Sequence, residues 1–138
     1  MLEKYYQGLT DDPRDVRVDL HVHSNASDGT WSPEELVSHV KGAGIRIFAL
    51  TDHNSVDNVA STYAIAREQG IFFIPGVEID SVYKGYTYHI LGLGIDAGSS
   101  GLRSLLKEQE EKMEMRDKRA IAYLETRYPQ VSAEEYDC

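Results

Sequence analysis

Along residues 18–29, VDLHVHSNASDG, the side chains of Asp19, His21 and His23 alternate with Val18, Leu20 and Val22 before the chain enters a turn-forming run. In an extended strand successive side chains point to opposite faces, so the acid and both imidazoles share one face and the three aliphatic groups the other. Two imidazoles so placed stand roughly 7 Å apart at the backbone, close enough to share one cation. A face meant only for water is served by Thr, Lys or Ser. This face is expected to look at a metal.

Other groups of the same chemistry follow. Asp28 lies in the loop after the first strand, and Thr51-Asp52-His53-Asn54 closes a second apolar stretch. Glu78 follows Pro75-Gly76, and His89 sits in Tyr88-His89-Ile90. Each has an ordinary alternative when taken alone. Asp28-Gly29 makes a turn, Asp52 can cap a helix, Glu78 can pair with a lysine, and His89 can be a hydrogen-bonded core histidine. Taken together they need several coincidences. Imidazole with carboxylate suits Zn, Mn or Fe, and no internal thiolate is present to select otherwise. His39, on a helix and away from any strand end, is read as structural.

Which elements would bring these groups together? Residues 17–23 read as a first strand. Ser32-Pro33-Glu34-Glu35 is a helix start, with Ser as cap, Pro at the first helical position and Glu three after the cap. That helix runs to about Ala43, between Gly42 and Gly44. Residues 45–50, IRIFAL, form a second strand, 56–69 a second helix, and 71–74 a third strand ended by Pro75-Gly76. This order predicts neighbouring parallel strands with right-handed crossovers. Residues 77–83 and 86–93 read as two more strands joined by a Lys84-Gly85 hairpin turn. One long helix is expected over 101–128, carrying Glu108/Lys112 and Glu114/Lys118 at i,i+4 spacing. Its intermittent apolar edge reads as a mostly solvated helix. The organisation expected is an arm over 1–16, a metal-binding α/β core over 17–98, and a long helix with tail over 99–138. In parallel α/β folds the ligand site lies beyond the C-terminal strand ends, where the residues above fall.

Composition bounds the function. The chain has 138 residues, 41% hydrophobic and 27% charged, with a formal net charge of −9. That balance repels nucleic-acid phosphates at long range, so no extended nucleic-acid surface is expected, while a phosphate held by bound cations stays within reach. No apolar run approaches the roughly 20 residues that span a bilayer, so no membrane partner is expected. The N-terminal stretch lacks the pattern of a signal peptide, and the one cysteine, Cys138, excludes a disulfide framework. The expected compartment is the cytoplasm.

DLHVHS, LTDHN, PGVE and the later Tyr-His-Ile-Leu-Gly together resemble the first motifs of the polymerase-and-histidinol-phosphatase (PHP) superfamily, in particular its nucleotide-phosphatase and RNA-trimming branch. The resemblance implies an α/β fold: a partial, distorted (β/α)7 barrel with parallel strands, a β-hairpin and a long C-terminal helix. It implies two or three divalent ions at the C-terminal rim and hydrolysis of a phosphate monoester, a nucleotide or small phosphorylated metabolite, by metal-activated water. Carried over residue by residue, His21 and His23 hold a first ion. Glu78 bridges it to a second that His89 also binds, and Asp28 and His53 hold a third. Asp19 and Asp52 lie behind the imidazoles and orient them, and the substrate-binding residues are left open, Ser24 and Asn54 included.

The chain departs from that pattern in one respect. The family barrel is about twice as long, and its second half supplies a His before a Pro and a closing Asp-x-His; after His89 this chain has no histidine. It is therefore expected to be a fragment, a short relative, or one half of an assembly. Its open sheet edge should seek a partner, as a homo-oligomer or with a missing second-half segment. The alternative function is a non-catalytic metal-binding or assembly module.

Overall fold

The computed structural model describes residues 16–128. The arm expected over residues 1–16, but for Val16, and the tail beyond 128 lie outside the described residues. Four strands, β1 (Arg17–Val22), β2 (Ile45–Leu50), β3 (Phe72–Tyr83) and β4 (Tyr86–Leu93), form one sheet in the order β1-β2-β3-β4. Three helices accompany them: α1 (Pro33–Gly42), α2 (Val59–Glu68) and α3 (Ser100–Arg127). The first three strands run parallel, and β4 returns antiparallel to β3. The fold is the mixed α/β half-barrel with a long C-terminal helix that the sequence implies.

Local chemistry accounts for most boundaries. Ser32 accepts from Glu35 N while the Glu35 carboxylate accepts from Ser32 N, the reciprocal cap that starts α1 behind Pro33. Lys84 and Gly85 both have positive φ, 51° and 83°, as a two-residue hairpin turn requires. The i,i+4 pairs Lys112–Glu108 and Lys118–Glu114 form along α3, where only Leu106 and Met113 are buried. Phe48 and Leu50 of β2 are fully buried, and Phe48 meets Phe73 of β3 edge-on at 5.2 Å between ring centres. Leu36, Val37 and Val40 of α1, Val59 and Ala66 of α2, Val77 of β3 and Leu106 of α3 complete one core.

Two expectations need correcting. The helix expected over 56–69 begins only at Val59: residues 57–58 form a turn in which Val59 N donates to Val56 O, and the Asn58 amide donates to Ser24 Oγ and Asn25 Oδ1. Pro75-Gly76 does not end a strand either. Residues 72–83 form a single strand that changes partner at this dipeptide, pairing with β2 through Pro75 and with β4 from Gly76 onward. Proline lacks an N–H, so it fits where one ladder is exchanged for another, and its carbonyl accepts from Gly94 N and Ile95 N. Gly76 permits the close approach. A Cβ there would lie 2.7 Å from Leu50 O, 2.9 Å from Thr51 Cγ2 and 3.1 Å from Gly92 O.

Gly76→Ala is therefore expected to destabilise the fold by about 1–3 kcal/mol through overpacking against backbone. Gly42→Ala, with nothing within 4 Å of its Cβ, should be near neutral. Urea unfolding of both variants beside the parent checks this contrast; equal midpoints would mean that the partner exchange does not depend on Gly76.

Candidate metal centre

The partner exchange in β3 carries Glu78 past the end of β2, where the chain continues the parallel contact through Asp52–Asn54. Glu78 N donates to Asp52 O at 3.0 Å, and Asn54 N donates to Glu78 O at 2.8 Å. Side-chain chemistry converges on this crossing. Glu78, 3% exposed, receives His21 Nε2 at 2.7 Å and His23 Nε2 at 3.0 Å on Oε2, and His89 Nδ1 at 2.9 Å on Oε1. His53 Nε2 stands 3.6 Å from Oε2. Four of the five histidines thus face one carboxylate. Asp28 joins from the loop after β1, with Oδ1 2.6 Å from His23 Nδ1 and Oδ2 3.8 Å from His53 Nε2.

These donors fall into three overlapping trios: His21, His23 and Glu78; His23, Asp28 and His53; His53, Glu78 and His89. Within each trio the ligand atoms lie within 4.8 Å of one another, close enough for small side-chain movements to bring them onto one cation. The donor set of imidazole nitrogen and carboxylate oxygen suits a divalent transition metal. All six residues expected as ligands are therefore brought together. Glu78 belongs to two trios, as a bridging carboxylate must, and His23 and His53 are also shared.

The hydrogen bonds of Asp19 and Asp52 run to backbone N–H groups and hydroxyls rather than to imidazoles. The β1–β2 register shifts between Asp19 and Val22, and the Asp19 carboxylate accepts from the backbone N–H of His21 at 3.2 Å. It closes an irregularity in the edge strand. Asp52 is 1% exposed and its carboxylate takes Ser24 N at 2.6 Å, Ser24 Oγ at 2.7 Å and Ser27 Oγ at 2.7 Å. A buried carboxylate needs donors, and here the loop supplies them. Asp52 therefore pins residues 24–27, the segment between His23 and Asp28. Ser24 is buried in the same network, and the Asn54 amide donates to Asp80. His39 stacks on Trp31 at 3.9 Å between ring centres and takes no part in the cluster.

Asp80 was not foreseen. Its Oδ1 lies 2.9 Å from His53 Nδ1 and 3.3 Å from His89 Nδ1. The signal was available: two residues after Glu78 on one strand, it shares that face.

A family model, the PHP domain, matches residues 19–136. A 5′-3′ exoribonuclease of Haemophilus influenzae is 39% identical over 105 residues, covering 76% of this chain and 37% of the relative. A 3′,5′-nucleoside bisphosphate phosphatase of Chromobacterium violaceum is 38% identical over 96 residues, covering 70% and 34% respectively. Among solved structures, an amidohydrolase from Chromobacterium violaceum with bound sulfate superposes with a TM-score of 0.74 at 35% identity, over 82% of this chain and 40% of that one. The chain thus spans little more than a third of the length of these curated relatives.

Electrostatics follow from the packing. Burial pushes the Glu78 carboxyl up, but the His21 hydrogen bond and the charges of His53, His21 and His23 outweigh it and leave the group below its ordinary value. Asp28 is lowered in the same way: desolvation opposes, and His23 and then His53 prevail. A carboxyl lowered by folding contributes stability that is present above its unfolded pKa and lost as pH falls through its folded value. The metal-free chain should therefore lose stability as pH drops below about 4, the ordinary carboxyl range. Glu78→Gln should flatten that decline. Urea midpoints at neutral pH and in steps down to the acid limb test it; parallel declines in parent and variant would remove Glu78 as a source.

Proposed function

Because the chain belongs to the PHP domain family, we propose that it is the metal-binding part of a phosphoesterase that hydrolyses a phosphate monoester. The observation that carries this reading is the buried Glu78 carboxylate, faced by four imidazoles and flanked by Asp28. In this reading His21, His23 and Glu78 hold one ion, Glu78 and His89 a second, and Asp28 and His53 a third. Zn, Mn and Fe all suit the donors. Divalent ions at such a site polarise phosphate oxygens and lower the pKa of a bound water.

The protein's own contribution is placement and charge. Glu78 supplies negative charge where two ion sites meet, and its burial keeps that charge unscreened. Neutral imidazoles add ligands without adding charge, which leaves net positive potential for a phosphate dianion. Asp52 fixes the loop through Ser24 and Ser27, so His23 and Asp28 hold their separation. A cleft beside His53 is lined by Asn54 and Ser55 and, from α3, by Arg103 and Lys107. We place the remainder of the substrate there. Relatives named for a nucleoside bisphosphate and for 5′-3′ RNA trimming support a nucleotide as that substrate. The net charge of −9 favours a substrate gripped at its phosphate over one lying along a basic surface.

We also propose that other polypeptide completes the site, a second copy or a second-half segment. Tyr86, Tyr88 and Ile90 on one face of β4, and Leu91 and Leu93 on the other, are exposed at a free sheet edge. No helix among the described residues is long and apolar enough to cross a membrane. The cytoplasm is our proposed compartment, supported by a single cysteine.

The test is metal content by mass spectrometry on protein purified without chelators, with oligomeric state measured by light scattering. Hydrolysis of p-nitrophenyl phosphate and of a nucleoside 3′,5′-bisphosphate is then assayed with added Zn, Mn or Fe. Two or three ions per chain and hydrolysis abolished by chelation are expected, and Glu78→Ala should lose at least about 100-fold in activity, as removal of a shared ligand implies. Ions bound tightly with no hydrolysis in any oligomeric state would instead favour the non-catalytic module.

A further inference from the structure

We propose that Asp80 is a positioning residue of the metal centre: it holds the proton of His53 on Nδ1 so that Nε2 faces the cation, and Asn54 holds Asp80 in turn. The proposal rests on the metal-binding reading above. A neutral imidazole has one N–H and one lone pair, and the partner of one nitrogen decides which nitrogen is free to bind a metal. Asp80 Oδ1 lies 2.9 Å from His53 Nδ1. On the other side of the ring, Nε2 stands 3.6 Å from Glu78 Oε2 and 3.8 Å from Asp28 Oδ2. Those separations exceed a hydrogen bond and match two ligand atoms sharing an ion with bonds near 2.0–2.2 Å. The ring is thus anchored at one nitrogen and open to a cation at the other.

Asp80 is itself held on two sides. Its Oδ2 accepts from Asn54 Nδ2 at 2.9 Å, and its backbone N–H donates to Asn54 Oδ1 at 3.0 Å. Asn54 makes both bonds from a left-handed backbone, φ 47°, a conformation that Asn tolerates better than most residues. Its own N–H is bonded to Glu78 O. The carboxylate is mostly buried, with its side chain 15% exposed. The arrangement runs from the Asn54 amide through Asp80 to His53, and it lies between the residues of two trios.

Asp80 could instead bind the ion directly, because its Oδ1 also stands 3.3 Å from His89 Nδ1. Conservative substitution separates the two roles. The Asn amide oxygen can still accept from Nδ1–H, so Asp80→Asn keeps the positioning bond and removes the charge. The experiment reads imidazole tautomers by 15N-resolved NMR on the metal-free full chain at pH 8, and Zn and Mn affinity by competition with a chelator. The parent should show His53 protonated on Nδ1. Asp80→Ala should shift that proton toward Nε2 and weaken ion binding about 10–100-fold, the usual cost of losing the group behind a metal-bound histidine. Asp80→Asn should retain the tautomer and most of the affinity. Asn54→Gly, which keeps the left-handed backbone but removes the clamp, should fall between them.

An unchanged His53 tautomer in Asp80→Ala would overturn the proposal. So would an Asn variant that keeps the tautomer but loses as much affinity as Ala, which would make Asp80 a ligand. A parent chain that binds no ion would sink the functional reading, while the metal-free tautomer would still decide the role of Asp80.

Discussion

Everything at the sheet's end depends on keeping one carboxylate charged where water barely reaches it. Isolated in such a place, Glu78 would take a proton or unfold its surroundings. It does neither because His21, His23 and His89 hydrogen-bond or pair with it directly and His53 stands close by. The backbone shares the task. Glu78 is fixed through its own N–H and C=O to Asp52 and Asn54, so its side chain cannot swing away from the imidazoles. That crossing exists only because β3 continues through Pro75 and Gly76, and the missing side chain at 76 lets β3 lie against Leu50 O. A steric opening at one glycine is thus linked to the charge at the site.

Asp52 solves the same problem with different partners. It is as buried as Glu78, yet it is compensated by a backbone N–H and two hydroxyls of the 24–27 loop rather than by groups that can become cations. Ser24 Oγ in turn accepts from Asn58 Nδ2, which ties the network to the start of α2. One carboxylate therefore gathers ligands and the other gathers the loop that carries them. The first is faced by groups that can themselves bind a metal; the second is faced by hydroxyls and a backbone N–H.

How much of this could be read from the sequence follows from what local rules describe. Ser32-Pro33 and Lys84-Gly85 state their structures in four residues or fewer, because caps and tight turns are decided by neighbours. The convergence of the six residues expected as ligands was legible because strand ends in a parallel sheet converge whatever the side chains between them. The hydrogen-bond partners of Asp52 and Asp80 were not legible, since they come from residues 25 to 28 positions away: Ser24 and Ser27 for one, His53 and Asn54 for the other. Pro75-Gly76 misled for a related reason. In isolation the pair breaks a strand, and only the presence of β4 beside it turns the break into an exchange of partners.

The converging residues differ in exposure, and strand order accounts for part of the difference. Glu78 comes from an interior strand and His53 from the loop after the other interior strand, with side chains 4% and 23% exposed. His21 and His89 come from β1 and β4, the two edges, and are 51% and 52% exposed. Among the described strands β2 and β3 are flanked on both sides, whereas β1 and β4 have a neighbour on one side only. His23, just beyond the end of β1, is nevertheless only 17% exposed because it lies against Glu78, Asp28 and His53. The same strands expose Val18 and Leu20 on β1, and Tyr88, Ile90 and Leu91 on β4. Apolar exposure at an edge is costly for a chain that stays alone. The exposed apolar side chains and the two most exposed imidazoles of the cluster thus lie on the same two edge strands.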